Sequence, residues 1–181
     1  MRRQSVIWAL VILVLAGSSQ ASQFGLGGKF SAVRNPDPQE NTTMVGGMAR
    51  LRGQFLGLEA DLGYRKQRIG RFQGDPVDLK TWPVTLSALL YPLPTIYGLA
   101  GFGWHNATVD LPDRVPFDNR TETKLGYHVG AGLEVPLAPR LGFIGDARFY
   151  FLDYEFAELR DLIGDVDADY FTLNFGAIVY F

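Results

Sequence analysis

The chain has 181 residues, enough for one domain that closes a sizeable sheet or core. It contains no cysteine, which excludes a disulfide framework, a thiolate metal centre, a thiol nucleophile and a cysteine-borne lipid anchor. With 17 basic and 19 acidic residues the net charge is −2, so there is no basic excess of the kind nucleic-acid binding requires.

Residues 1–21 read as a secretory signal peptide. Arg2 and Arg3 give a positive start, the stretch from Val6 to Ala16 is unbroken apolar, and Ser19-x-Ala21 is a small-x-small cleavage pattern. The apolar run is shorter than the roughly 20 residues that a membrane-spanning helix needs. The mature domain is then expected to be residues 22–181, and no later segment is apolar enough for a helix to cross a membrane. Mean hydropathy near zero fits the same conclusion, and it also fits a membrane barrel whose positions alternate between apolar and polar.

The mature chain alternates with a period of two, the signature of half-buried strands, in eight runs. Run one (Phe24 to Arg34) sets Leu26 and Phe30 against Lys29 and Ser31. Run two (Met44 to Arg52) sets Val45, Ala49 and Leu51 against Met48, Arg50 and Arg52. Run three places Leu56, Leu58, Ala60, Leu62 and Tyr64 opposite Gly57, Glu59, Asp61, Gly63 and Arg65. Run four (Asp78 to Tyr91) places Trp82, Val84, Leu86, Ala88 and Leu90 opposite Lys80, Thr85 and Ser87. Run five (Thr95 to Val109) has large apolar residues at both parities; the glycines at 101 and 103 favour Ala100, Phe102 and Trp104 as its apolar face. Run six sets Leu125, Tyr127, Val129, Ala131, Leu133 and Val135 against Lys124, Gly126, His128, Gly130, Gly132 and Glu134. Run seven sets Phe143, Ala147, Phe149 and Phe151 against Asp146, Arg148 and Tyr150. Run eight sets Phe171, Leu173, Phe175, Ala177, Val179 and Phe181 against Thr172, Asn174 and Gly176, with Ile178 and Tyr180 breaking the pattern.

Connections alternate between tight turns (around Gly53, Pro92 to Pro94, Pro136 to Pro139) and long polar gaps (Asn35 to Thr43, Lys66 to Val77, Asp110 to Thr121, Glu155 to Asp169). Short turns at one end and long loops at the other are the habit of barrels in an outer membrane. The polar face carries glycine beside isolated charges, which suits a lumen so narrow that side chains fill it, as eight strands produce. With the strands run alternately up and down, Tyr64, Trp82, Trp104, Tyr127, Phe151 and Phe171 fall at the loop end of the apolar face. Phe24, Phe55, Tyr91 and Phe181 fall at the turn end. Such rings favour the two bilayer interfaces, and Leu56 to Tyr64 rises about 23 Å, close to the apolar height of a membrane barrel. The expected fold is all-β: an eight-stranded antiparallel up-and-down transmembrane barrel with short periplasmic turns and longer extracellular loops.

On these residues the chain resembles the small eight-stranded outer-membrane barrels of the OmpA/OmpX type, the outer membrane protein β-barrel domain group. The most specific part is Phe171 to Phe181, similar to the terminal signal read by barrel-assembly machinery, with Phe175, Val179 and Phe181 as its positions. Trp82 to Tyr91 looks like the family's central strand, and Tyr97 to Gly103 like its next, glycine-rich one. The resemblance implies an outer-membrane location in a double-membraned bacterium and contact with outer-membrane lipids and lipopolysaccharide. It does not define an activity.

Chemistry-bearing motifs are few. His105 and His128 on neighbouring strands lack a third ligand for a metal. Some related barrels are lipid A-modifying enzymes, but neither histidine is followed by the nearby serine that a hydrolase of that kind uses: the sequences are His105-Asn106-Ala107 and His128-Val129-Gly130. Asp165-x-Asp167-x-Asp169 opens like a calcium loop, yet Tyr170 and Gly176 stand where that motif needs glycine and glutamate. No cofactor, metal site, catalytic residue or nucleic-acid partner is expected. Arg65, Lys66, Arg68 and Arg71 form a basic stretch suited to lipopolysaccharide phosphates, or simply to loop solubility. The lumen is expected to hold a polar network of Lys29, Asp61, Asp146 and Arg148 at mid-height, with Arg50, Glu59 and Glu134 towards the periplasm and His128 among the inward groups. Mixed charges in that space imply ion pairs and a closed plug. Two functions follow as expectations: a structural or surface-interaction protein acting through extracellular loops, or a small pore or hydrophobic-ligand transport protein.

Overall fold

The computed structural model describes residues 22–34, 42–72, 75–110, 120–152 and 169–181. The expected signal peptide, the tips of the long connections, Asp165 and Asp167 lie outside them.

Eight strands form: β1 (Gln23–Arg34), β2 (Thr42–Arg52), β3 (Leu56–Phe72), β4 (Asp75–Leu93), β5 (Ile96–Asp110), β6 (Arg120–Ala138), β7 (Leu141–Leu152) and β8 (Tyr170–Tyr180). Each pairs antiparallel with its neighbour in sequence, and β1 pairs with β8, so the sheet is a closed barrel. The turns at 53–55, 94–95 and 139–140 share one end.

The register fixes the stagger. Followed from partner to partner, Phe24 leads to Leu51, Leu58, Ala88, Ala100, Val129, Phe149 and Phe171, and returns to β1 at Arg34, ten residues further along. Such a stagger over eight strands sets a tilt of about 40° and a lumen that side chains fill. It also brings Tyr64, Trp82, Trp104, Tyr127, Phe151 and Phe171, all on the outer face, to one level within about 4 Å, about 23 Å above Phe24. Between the two levels the outer face is apolar and exposed: Leu26, Val45, Leu62, Leu86, Val129, Leu133 and Val179 all point away from the barrel, with Phe30, Phe102, Phe149 and Phe175 among them.

Parity resolves the ambiguous run. Ala100, Phe102 and Trp104 face outward from β5, while Tyr97 and Leu99 are buried inside. The irregular Ile178 and Tyr180 of β8 are inward too, where they help to fill the turn end of the lumen.

Three expectations are corrected. Tyr91 is not part of the outer aromatic belt: it shares the parity of Ser87 and Leu89, is buried, and turns its hydroxyl to the charges inside. Lys80 lies on the same face as Trp82, not opposite it, because the even-numbered residues of β4 from Lys80 to Leu90 face out. The stretches Lys66 to Val77 and Asp110 to Thr121 are not wholly loop: β3 and β4 remain paired up to Phe72 and Asp75, and β5 and β6 up to Val109 and Arg120. Above the upper belt, water wets both faces of a strand. The backbone ladder continues there without any apolar alternation to reveal it. A register shift between Arg68 and Gly70 interrupts the β3–β4 ladder, a bulge that increases local twist.

Inward glycines stand where bulky neighbours need the space. A Cβ on Gly132 would lie 2.5 Å from Asp146 Cβ and 2.7 Å from Tyr97 Cζ, whereas one on the outward Gly98 meets nothing nearer than 4.0 Å. Gly132→Ala is therefore expected to destabilise the folded barrel by about 1–3 kcal/mol, and Gly98→Ala to stay within about 0.5 kcal/mol of the parent. Guanidinium unfolding in lipid vesicles compares the two directly.

Candidate functional site

With the greasy face outward, the polar parity of every strand converges on the barrel axis. The sequence alone places these groups on the same face; the stagger decides which of them meet. At mid-height Arg148, fully buried on β7, is surrounded by three carboxylates. Its Nε donates to Asp146 Oδ1 at 2.7 Å, Nη1 to Asp61 Oδ2 at 2.8 Å, and Nη2 to Glu59 Oε1 at 2.7 Å and to Asp146 Oδ2 at 2.9 Å. Lys29 of β1 forms an ion pair with the other oxygen of Asp61. Asn174 Nδ2 donates to Asp146 Oδ1 at 2.6 Å, and Thr85 Oγ1 donates to Asp61 Oδ2 at 3.2 Å.

Nearer the turn end Arg50 of β2 is also fully buried. It donates from Nε to Glu59 Oε2 at 2.7 Å, pairs with the same carboxylate through Nη2, and reaches Glu134 Oε2 from Nη1 at 2.6 Å. Glu59 is thus shared by Arg50 and Arg148 and ties the two levels into one system. Arg52 closes the lower end by pairing with Glu134 and donating to the Pro94 carbonyl. Tyr180 and Tyr91 hydroxyls donate to Glu134 at 2.8 and 3.2 Å, and the Tyr97 hydroxyl donates to Asp146 Oδ2 at 3.0 Å. The guanidinium carbons of Arg50 and Arg52 each lie 4.8 Å from a ring centroid, over Tyr97 and Tyr91 respectively.

Four cations therefore interlock with four carboxylates: Lys29, Arg50, Arg52 and Arg148 with Glu59, Asp61, Glu134 and Asp146. Lys29, Asp61, Asp146 and Arg148 share the middle level, and Arg50, Glu59 and Glu134 lie below them. Arg52 and the tyrosines are members that sequence reasoning misses. Their signal is present, since Tyr91, Tyr97 and Tyr180 occupy the polar parity of their strands, where a phenolic hydroxyl can reach a buried charge.

The upper lumen is aromatic. Tyr150 and Tyr170 stack at 4.5 Å with an 8° interplanar angle. His105 packs edge-on against Tyr150 at 5.7 Å and Tyr170 at 6.1 Å, and His128 lies 5.0 Å from Tyr150. His128 Nε2 is hydrogen-bonded to Ser87 Oγ at 2.8 Å, and a Cβ on Gly101 would strike this ring at 2.8 Å. The serine partner is 41 residues away in sequence, so no local motif announces it. The pair is enclosed, and His128 Nδ1 has no hydrogen-bond partner among the described residues to orient it as a general base. Among the described residues no group of three or more histidine, cysteine, aspartate or glutamate side chains is placed to hold a metal ion.

Arg65 turns inward, as its parity in run three implies, and so stands apart from the outer basic stretch that its sequence position also suggests: its guanidinium carbon lies 5.9 Å from the Tyr170 ring centroid. The side chains of Arg68 and Arg71 are outside the described set. On the outer face Tyr64, Trp82, Trp104, Tyr127 and Phe151 are exposed and Phe171 is half-buried; on β8 Phe175 at mid-height and Val179 and Phe181 at the turn end are exposed, with Phe181 6.4 Å from Phe24.

Removing one partner of a buried ion pair leaves the other charged and unsatisfied, at a cost of about 3–5 kcal/mol. Asp146→Ala deprives Arg148, Tyr97 and Asn174 of an acceptor and is expected to lower stability by that amount, whereas Arg140→Ala in the exposed 139–140 turn is expected to change it by less than about 0.5 kcal/mol. Denaturant midpoints of the two variants in the same lipid decide the matter; equal midpoints would contradict the ion system's role.

Comparison with known proteins agrees with this geometry. The family described as outer membrane protein beta-barrel domain matches residues 7–178. No curated protein matches the chain. Among solved structures, Neisserial surface protein A is similar with 17% identity and a TM-score of 0.64, over 90% of this chain and 100% of that one. A major outer membrane protein of Thermus thermophilus is similar with 15% identity and a TM-score of 0.63, over 90% and 100%. Ail, the attachment invasion locus protein of Yersinia pestis, solved with the heparin analogue sucrose octasulfate, is similar with 18% identity and a TM-score of 0.57, over 88% and 97%. At these identities the likeness is one of fold. The family match spans nearly the whole chain, which therefore belongs to the outer membrane protein beta-barrel domain family and is an eight-stranded barrel of the outer membrane.

Proposed function

We propose that this protein is a closed outer-membrane barrel, with a structural or surface-interaction role exercised through its extracellular loops. The observation that carries the reading is the occupied lumen. Arg50 and Arg148 are 0% exposed, and their charges are neutralised by carboxylates held on β3, β6 and β7. Above them stand the stacked tyrosines and both histidines, and below them Tyr91, Tyr97, Ile178 and Tyr180, which supports a closed axis. A solute path would have to break several charge-assisted bonds at once. Function is then left to the loop end, where binding residues of a rigid scaffold are commonly carried. That Ail was solved with a heparin analogue fits such a role for a barrel of this shape.

The full-length protein inserted into a planar bilayer tests the closed lumen. No stable conductance steps are expected. Large, long-lived steps would overturn the reading in favour of a small pore or a conduit for a hydrophobic ligand.

The same reading makes the C-terminal strand the segment by which assembly machinery inserts the barrel. Phe175, Val179 and Phe181 project on one exposed face. Removing Phe181 is expected to reduce, several-fold, the heat-modifiable folded form recovered from outer-membrane fractions, with little effect on spontaneous folding of the purified chain into detergent. Unchanged recovery from cells would refute this assignment.

A further inference from the structure

The loop end of the lumen holds polar atoms that the ion system below does not use. Arg65, Thr81, His105 and Lys124 occupy inward positions on four successive strands, β3 to β6. Arg65 and Thr81 are direct cross-strand partners, and so are His105 and Lys124. Because Thr81 pairs with Ala107 and Pro83 with His105, Thr81 and His105 are diagonal neighbours. The stagger puts all four within about 5 Å of one level, about 10 Å above Asp61. Across the bore at this level the wall is apolar or aromatic, formed by Val33, Leu152 and Tyr170.

Two of the four carry a buried atom with no partner. Among the described residues neither Thr81 Oγ1 nor His105 Nε2 has a hydrogen bond, although the residues are only 7% and 1% exposed. Such atoms lose their hydration without return, so two of them side by side call for an occupant. Ser31 Oγ and His128 Nδ1 share this condition about 7 Å deeper, but on β1 and β6, which are not neighbours. The Tyr170 hydroxyl lies 3.4 Å from His105 Nδ1. With the phenol donating there, the imidazole proton is on Nε2, which is then a donor, as the Thr81 hydroxyl can be. Arg65 is the cation against them: its guanidinium carbon and the His105 ring both adjoin the Tyr170 ring, at 5.9 and 6.1 Å from its centroid. Lys124 makes contacts of its own within the chain. The carboxylates of the ion system are engaged at mid-height and below. A guanidinium beside two neutral donors suits an oxyanion, and a tetrahedral one offers a separate oxygen to each of the three.

We propose that Arg65, Thr81 and His105 form a phosphate-binding site inside the loop-end mouth of the lumen. Arg65 is half-buried there on a long side chain, so it swings from the Tyr170 ring to admit the anion and then pairs with it. The barrel wall separates the site from lipid, which makes the ligand a phosphate-bearing solute that enters from the loop end. The site lies above the ion system, so its occupancy does not depend on whether that system conducts.

The test uses the full chain folded in maltoside micelles and titrated, in phosphate-free buffer, with inorganic phosphate and with glucose 1-phosphate. Calorimetry reads affinity, and the imidazole nitrogen resonances of His105 report whether the anion arrives at Nε2. The wild type is expected to bind one anion per chain and to shift the His105 signal. Arg65→Gln is expected to weaken binding on the order of tenfold. Thr81→Val is expected to weaken it about three- to tenfold while its denaturant midpoint stays at or above that of the wild type, because a buried hydroxyl without a partner stabilises nothing. A structural role for Thr81 would give the opposite pattern. Arg140→Gln, in the exposed turn at the other end, is expected to leave binding unchanged. Uptake of inorganic phosphate alone makes the free anion the ligand; uptake of the sugar phosphate, alone or as well, makes it the group carried on a larger solute. No binding of either probe by the wild type, binding that leaves the His105 signal in place, equal binding by either of the two site variants, or a lowered midpoint for Thr81→Val would each overturn the proposal.

Discussion

Closure of the sheet governs everything else in this structure. In hydrocarbon an unpaired backbone N–H or C=O costs several kcal/mol, so a spanning sheet cannot have an edge. Pairing of β1 with β8 removes it. Once eight strands close with a stagger of ten residues, the bore is fixed at a width that side chains alone can fill. The sequence must then supply, at each inward position, a residue whose volume matches those beside it. Gly132 lies against Asp146 and Tyr97, Gly101 against His128, and Gly63 against Met44 and Pro83. Glycine here makes room for neighbours; it is not a mark of flexibility.

A bore of that width also determines the chemistry of its contents. Apart from Arg52, which is 23% exposed at the turn end, these cations and carboxylates are shielded from bulk water, where ion pairs are stable only if nearly every donor and acceptor is used. The structure meets that condition by sharing. Glu59 serves Arg50 and Arg148, Glu134 serves Arg50, Arg52 and two tyrosine hydroxyls, and Asp146 serves Arg148, Asn174 and Tyr97. No residue in this set can be exchanged without leaving its partners incomplete, so the strands that carry them are held in one register relative to each other. The ion system thus does for the interior what the aromatic belts do for the exterior: it fixes height.

The parts of this arrangement visible in sequence are those that depend on a single strand. Period-two alternation in Phe171 to Phe181 and in Lys124 to Val135 states which face is greasy and which is not. Where tyrosine or leucine stands on the polar parity, as with Tyr97 and Leu99 in β5, the signal cancels, and only the structure shows that these residues line the lumen. Tyr91 misleads for the same reason: an aromatic at a strand end suits either face. What no single strand encodes is the stagger. Arg148 meets Glu59 across the barrel, and His128 meets Ser87 two strands away, through pairings set by turn geometry and closure. The extension of β3 to β6 past the upper belt is hidden because strands wetted on both sides lose their alternation.

Described pairing of β2 with β3 stops at Val45 and Tyr64, and that of β6 with β7 at Gly126 and Leu152, both close to the level of the upper aromatic belt. The ladders between β3 and β4, β4 and β5, and β5 and β6 continue beyond it. Among the described residues, β3 to β6 therefore continue past the upper aromatic belt as backbone-bonded sheet continuous with the barrel. A ladder of this kind transmits the rigidity of the spanning part upward, so groups on the wall keep a set height above Tyr64, Trp82 and Trp104. Lys66 and Lys80 occupy its lowest outward row. Their level is fixed by the same stagger that aligns the belt, so their height above the rings is a consequence of how the barrel closes.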